Sequence, residues 1–343
     1  MGKISRRTFL KDSLIFTGSS FVLSPEFLPA STKSHLKEKK IRKYPSYLEL
    51  EEKGLLSERV KKLHSIYESC HLCPRDCRVD RTKGETGKCE ATSKAKVSSA
   101  FPHFGEEAPL IGKGGSGTIF FSNCGLRCVF CQNYKISIEG EGVEISDERL
   151  ADMMIKLQKM GCHNINLVTP THYVPNIVNA LQKAIGKGLH IPLVYNTSGY
   201  ETLDTLQLLD GIIDIYLPDC KFMNPENAAK YTGETYNYPY YAKLALKEMH
   251  RQVGVLQVGK RGIAVRGIMI RHLILPNNIA GTDKFLKFVA ENFPKTTYLN
   301  LMSQYRPEYK ASEYPELSRR IKRSEYAAAL RLARKYGLTR LDK

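Results

Sequence analysis

Tryptophan is absent from this chain, so any aromatic core must be built from its 19 Tyr and 13 Phe. No apolar run reaches the roughly 20 residues that a helix needs to cross a bilayer. The longest, Leu14 to Leu23, is short and interrupted by Gly18, Ser19 and Ser20, which excludes a polytopic membrane protein. Acidic residues are scarce, 35 against 52 Lys and Arg, for a formal net charge of +17. That excess sits at the ends: residues 1–43 and 319–343 contribute +7 each, leaving +3 for everything between. A nucleic-acid reader would combine basic charge with base-reading elements. None is present, so no nucleic-acid partner is expected, and the ends read as a targeting segment and a solvated basic helix. With 343 residues, 42% hydrophobic and 25% charged, the chain is neither disordered, collagenous nor a coiled coil. It can form one large α/β domain or two ordinary ones.

Ser5-Arg6-Arg7-Thr8-Phe9-Leu10-Lys11 closely matches a twin-arginine export signal, in which a receptor reads the Arg pair. A weakly apolar stretch follows, then small residues at Pro29-Ala30-Ser31 where a peptidase can cut. The chain therefore divides into a signal segment at 1–31, with the export machinery as partner, and a linker and helix at 32–64. A cysteine-rich module occupies 65–100, and a βα-repeat region with a C-terminal basic helix occupies 101–343. No transmembrane span is expected.

Seven of the nine cysteines fall into two sets. Cys70, Cys73, Cys77 and Cys89 form C-x2-C-x3-C-x11-C; Cys124, Cys128 and Cys131 form C-x3-C-x2-C. Such spacings favour a shared metal or cluster over pairwise bridging, and a chain of this size needs no disulfide scaffold. Three thiolates can hold three irons of a [4Fe–4S] cluster and leave the fourth open to a ligand. In the upstream set Arg75, Arg78 and Arg81 would offset thiolate charge, while Gly84 and Gly87 supply turns. A second iron–sulfur cluster, a zinc ion and disulfides all stay open there, and a closed metal site would be structural or an electron relay. Cys162 and Cys220 read as buried bystanders, with Lys221 leaving room for a Cys220 thiolate.

Hydrophobic periodicity from residue 118 onward alternates strand and helix. Strands are expected at 118–121, 165–168, 191–195, 212–217, 267–275 and 298–302, with helices between them. Helix periodicity is clearest for Leu150, Met153, Met154 and Leu157, begun at Ser146 and stopped by Gly161. The Tyr-rich stretch Tyr231 to Tyr241 reads as a packed loop over the barrel, with the lining of a substrate channel as the alternative. Six βα units imply a parallel sheet with chemistry at the C-terminal strand ends. Those ends carry Thr169 and Thr171, Asn196 and Ser198, Asp219 and Lys221, Arg271, and Gln304. His172 can equally be a core histidine, and Asp219 with Lys221 a simple ion pair.

Cys124-Gly125-Leu126-Arg127-Cys128-Val129-Phe130-Cys131, with an aromatic residue before the last cysteine, resembles the cluster loop of radical S-adenosylmethionine (SAM) enzymes. Asp219-Cys220-Lys221 and Arg271-His272 are similar to strand ends of pyruvate formate-lyase activating enzymes. Together with Met249 to Gly254 and Leu301 to Pro307, residues 65–340 resemble the PflX-type branch of those homologues. The resemblance implies an α/β fold, an open (β/α)6 partial TIM barrel with an N-terminal cysteine-rich extension. It implies a [4Fe–4S] cluster on Cys124, Cys128 and Cys131, SAM on its open iron, and an oxidoreductase that generates a 5′-deoxyadenosyl radical. Phe130, Thr169, Thr171, Asn196, Ser198, Asp219, Lys221, Arg271 and Gln304 would line the cofactor site, Lys221 against the SAM carboxylate. The family's usual Gly-Gly-Glu is missing after strand two, so Thr169 and Thr171 take that place by position alone. A low-potential electron donor is an implied partner, and a glycyl radical enzyme a candidate protein substrate. Modification of a small molecule or peptide, and a non-catalytic iron–sulfur electron carrier, stay open. The signal favours the periplasm or cell envelope, whereas SAM and low-potential donors favour the cytoplasm.

Overall fold

The computed structural model describes residues 45–342. The signal segment and the linker up to residue 44 lie outside the described residues. Nine strands form one sheet system: β1 (Ala95–His103), β2 (Ser116–Phe121), β3 (Val143–Ile145), β4 (Ile165–Val168), β5 (Leu193–Thr197), β6 (Ile215–Pro218), β7 (Gln257–Val258), β8 (Ala264–Leu273) and β9 (Tyr298–Met302). Strands β2, β4, β5, β6, β8 and β9 pair in that order, all parallel. These are the six expected strands. Two antiparallel strands unseen in the sequence pattern, β1 and β3, extend the β2 edge, and β7 pairs antiparallel with β8. The result is an α/β partial barrel of six parallel strands.

Helices connect the strands where the periodicity placed them. In the helix Asp147–Lys159 the Ser146 hydroxyl accepts from the Arg149 N–H at 3.2 Å, satisfying an otherwise orphaned donor. Asp147 and Glu148 at its start, and Lys156 and Lys159 at its end, complement the helix dipole. Leu150, Met154 and Leu157 are buried, worth roughly 1.5–3 kcal/mol each. Gly161, at φ +89°, then turns the chain. The stretch read as a loop at 231–241 is a turn at 232–237 flanked by two helices. Tyr231 ends Pro225–Tyr231, and Tyr238 begins Tyr238–Val253, because Pro239 suits a first helical turn.

Two expected strands start late. The apolar text begins at Ile191 and Ile212, but β5 begins at Leu193 and β6 at Ile215. Ile212 and Ile213 are buried in the preceding turn, so hydrophobicity there reports packing and not strand.

Side-chain alternation divides the core. Leu193, Tyr195, Tyr216, Ile268, Ile270, Leu299 and Leu301 belong to the main cluster with the helices, while Val194, Ile215, Leu217, Met269 and Tyr298 form a second, smaller cluster on the opposite face. Period two carries that inner face onward to Asn196, Asp219, Arg271 and Asn300. Apolar inner residues thus give way to polar ones toward the C-terminal ends.

Candidate active site

A cavity of about 270 Å³ opens at those ends. One wall is the cysteine loop after β2, with Cys124, Cys128 and Cys131; the other comprises strand-end residues including Asn196, Asp219, Lys221 and Arg271. The loop leaves β2 through Asn123 at φ +73° and turns again at Arg127 at φ +51°. Left-handed backbone at a non-glycine residue costs on the order of 1–3 kcal/mol and persists only where surroundings enforce it. Here the Asn123 N–H donates to the Ile136 carbonyl (2.9 Å), the Val129 N–H to the Tyr231 carbonyl (3.0 Å) and Arg75 Nε to the Gly125 carbonyl (2.8 Å). Phe130 lines the cavity and packs edge-on against Phe222 and Tyr305.

Opposite, Arg271 is the hub. Its Nε donates to Asp219 Oδ1 (2.7 Å) and Nη2 to Asn196 Oδ1 (2.6 Å), while Nη1 lies 3.6 Å from Glu106 Oε2. Lys221 Nζ donates to the other Asp219 oxygen at 2.6 Å. Burial opposes the Asp219 charge, but Arg271 and Lys221 outweigh it and hold the carboxyl below its usual range. Burial likewise works against Lys221, yet Asp219 keeps its ammonium raised. Glu106 goes the other way: burial outweighs Arg271 and raises its carboxyl.

A profile described as the Radical SAM superfamily matches residues 118–252, from β2 and the cysteine loop through β6 to the following helices. The chain is also 34% identical over 301 residues to an uncharacterized protein of Methanocaldococcus jannaschii, covering 85% of this chain and 82% of that one. The chain belongs to the radical SAM superfamily. A second uncharacterized protein of the same organism is 24% identical over 276 residues, 74% of this chain and 75% of that one. Among solved structures, methylornithine synthase is similar with a TM-score of 0.41 and 18% identity, over 64% of this chain and 60% of that one. Streptococcus suis SuiB bound to S-adenosylmethionine gives 0.43 and 12%, over 64% and 47%. The radical SAM chain thus spans about half to three-fifths of those two solved chains.

The superfamily implies a [4Fe–4S] cluster and SAM, and the residues present fit both. None of the three loop thiols is in a disulfide, and all three face one cavity. Among the described residues no three His, Cys, Asp or Glu side chains meet at the spacing of a single bound ion. In a cluster each thiolate takes a different iron, so convergence on one point is not required. Burial pushes the Cys128 and Cys131 thiols up, while the Ser137 hydroxyl, 3.0 Å from Cys131 Sγ, works to lower Cys131.

Eight of the nine sequence-derived cofactor residues of this radical SAM chain line the cavity: Phe130, Thr169, Asn196, Ser198, Asp219, Lys221, Arg271 and Gln304. Thr171 does not. Its hydroxyl turns away to Glu201 Oε1 at 2.6 Å. His172 is a core residue whose Nε2 donates to the Ser122 carbonyl (2.8 Å), and burial lowers it to about 3. Cys220 is buried beside Met223, and burial, far outweighing the nearby lysines, pushes its thiol up to about 12; this corrects the expectation of room for a thiolate. His272, adjacent to Arg271, is also structural. Its Nδ1 bonds the Cys220 carbonyl and Nε2 the Thr282 hydroxyl, and its ring stacks on Phe285 at 4.3 Å.

Sequence reasoning missed Glu106 and Glu201. Glu106 arrives on the turn after β1, a strand with no periodic signature, so nothing local could have pointed to it. Glu201 follows the strand-end run Asn196 to Gly199, and its signal was a lone acid just beyond a strand.

Proposed function

We propose that this chain is a radical SAM oxidoreductase that cleaves SAM reductively at the cavity between the cysteine loop and Arg271, and uses the radical to abstract hydrogen from a substrate. The observation that carries the reading is one cavity shared by the three C-x3-C-x2-C thiols and a charged wall of Asp219, Lys221 and Arg271. When bound, a reduced [4Fe–4S] cluster supplies the electron that splits SAM into methionine and a 5′-deoxyadenosyl radical. Cys124, Cys128 and Cys131 would hold three irons. Lys221 and Arg271 would pair with the amino-acid carboxylate of SAM, and Asp219 would accept from its amino group. Ser198 and Gln304 offer hydrogen bonds for hydroxyls, and Val168, Leu273 and Met302 an apolar patch for the base. Phe130, Phe222 and Tyr305 close the loop side against water.

The finer reading is an activase that takes hydrogen from a glycine of a glycyl radical enzyme, with a low-potential donor as second partner. Its support is the resemblance of Asp219-Cys220-Lys221 and Arg271-His272 to activase strand ends. The test is anaerobic: reconstitute the full chain with iron and sulfide, reduce it with dithionite, add SAM and measure 5′-deoxyadenosine. Product is expected from the wild type and a loss of at least 100-fold from Cys128→Ala. A reduced cluster that binds no SAM would overturn the enzyme reading and leave an electron carrier. Deuterium transfer from a glycine-labelled partner protein into 5′-deoxyadenosine supports the activase reading; transfer only from a small molecule or peptide overturns it.

A further inference from the structure

The upstream cysteines form a second, separate site. Cys70, Cys73, Cys77 and Cys89 line one cavity of about 20 Å³, together with Arg75, Arg81 and the edge of His172, and none is in a disulfide. The chain is folded tightly around them. The Cys70 N–H donates to the Val79 carbonyl (3.0 Å) and the Arg78 N–H returns to the Cys70 carbonyl (2.9 Å). Gly87 is required by close approach, since a Cβ there would lie 2.6 Å from Cys77 Sγ. Asp76, Arg78 and Glu90 all take left-handed backbone, conformations that ligation would help to enforce.

Asp76 also lines this cavity but pairs with Arg78 at 2.6 Å, which leaves Arg75 and Arg81 without an acidic partner on the lining. Arg81 is 1% exposed and stacks over Tyr67 at 4.3 Å. It spends donors on the His172 carbonyl (2.7 Å) and the Thr92 carbonyl, and Nη1 lies 3.9 Å from Cys70 Sγ. Among the described residues its Nε has no hydrogen-bond partner, nor does Arg75 Nη2. A buried guanidinium costs several kcal/mol unless an anion offsets it. Neutral thiols supply no such anion, whereas thiolates on a metal keep a net negative charge.

The cysteine loop of the first cavity lies against this second set. A Cβ on Gly125 would stand 3.7 Å from Cys73 Sγ and 3.9 Å from Cys89 Cβ, and Gly125 immediately follows Cys124. Arg75 Nε holds the Gly125 carbonyl, and Arg127 pairs with Glu90, the neighbour of Cys89, at 3.0 Å.

We propose that Cys70, Cys73, Cys77 and Cys89 hold a small iron–sulfur cluster, which balances Arg81 and Arg75 and braces the Cys124–Cys131 loop through Gly125. Four sulfur donors suit such a cluster, in which each thiolate takes a different iron, whereas no three of them converge at the spacing of a single bound ion. The inference stands apart from SAM chemistry and is tested without it. The variant Cys124→Ala/Cys128→Ala/Cys131→Ala is purified anaerobically and loaded either with zinc or with ferrous iron and sulfide. Retention of about one centre per chain is expected, and adding Cys73→Ser/Cys77→Ser should lower it at least tenfold. Iron with sulfide identifies the cluster; zinc without sulfide would overturn it in favour of a single ion. Binding of neither by the folded triple variant, or binding unchanged in the quintuple variant, overturns the proposal. Should the quintuple variant not fold, native mass spectrometry of the triple variant reads the same increment directly. The brace is read by hydrogen exchange in the chain with its loop cysteines intact. Amides 124–131 should exchange at least tenfold faster after Cys73→Ser/Cys77→Ser, and unchanged exchange would refute that part.

Discussion

Glu201 is the residue whose burial has the clearest consequence for stability. Its carboxyl is buried among the hydroxyls of Thr171, Thr197 and Tyr195, and desolvation outweighs those hydrogen bonds to raise it to about 7. The folded state therefore keeps a proton that the unfolded chain releases near 4.5. The stability this group contributes is fully present below about 4.5 and is lost as pH rises through 7, roughly 3 kcal/mol in all. His172 and His272, lowered to about 3 and 4, act in the opposite sense, costing stability as pH falls below 6.5. The variant Glu201→Gln isolates the first effect. Urea midpoints from pH 4.5 to 8 should show wild type losing ground to the variant steadily as pH rises. A difference flat with pH would mean Glu201 titrates normally. Asp219, Lys221 and Arg271 could be named from the sequence because strand ends in parallel sheets collect polar side chains. The Lys221–Asp219 pair, two positions apart, was legible too, but the Arg271–Asp219 bond was not, since it joins residues 52 positions apart.

Strand β5 shows how an element delivers side chains to the cavity. Inner-face alternation aims Asn196 inward, and Thr197 and Ser198 follow before the chain turns at Gly199. Gly199 has φ +74°, and a Cβ there would lie 2.4 Å from the Asp219 carbonyl oxygen. Gly188 offers a matched control, with φ +92° and nothing within 4 Å. Gly188→Ala should cost only the left-handed penalty, about 1–2 kcal/mol. Gly199→Ala must also move the backbone that presents Asp219, so it should cost at least about 1 kcal/mol more by urea denaturation. Equal losses would show that the β5–β6 ends are not packed as tightly as the contact implies. Six parallel strands were legible because buried apolar runs and helical periods alternate. Strands β1 and β3 were not, because their half-exposed mixed faces carry no consistent period.

On the scale of the whole chain, the described residues from 45 onward belong to one compact unit, while 19 of the 52 positive side chains lie in the two basic ends, residues 1–43 and 319–343. We propose that Arg6 and Arg7 direct export. In fractionated cells, full-length protein should be found in the envelope fraction, and Arg6→Lys/Arg7→Lys should return most of it to the cytoplasm. Equal distribution of the two would sink the export reading and leave the chemistry in the compartment that supplies SAM.

The six alternating parallel strands and helices, the two cysteine sets and the strand-end polar residues were determined by the sequence alone, because they rest on local spacing and period. Tertiary structure decided what meets what. Arg271 reaches Asp219, Asn196 and Glu106 at once; Thr171 turns to Glu201 and leaves the cavity; and Cys73 lies against Gly125. Each of these contacts depends on crossover connections that bring distant segments side by side, and side-chain period records a residue's face without recording its neighbour.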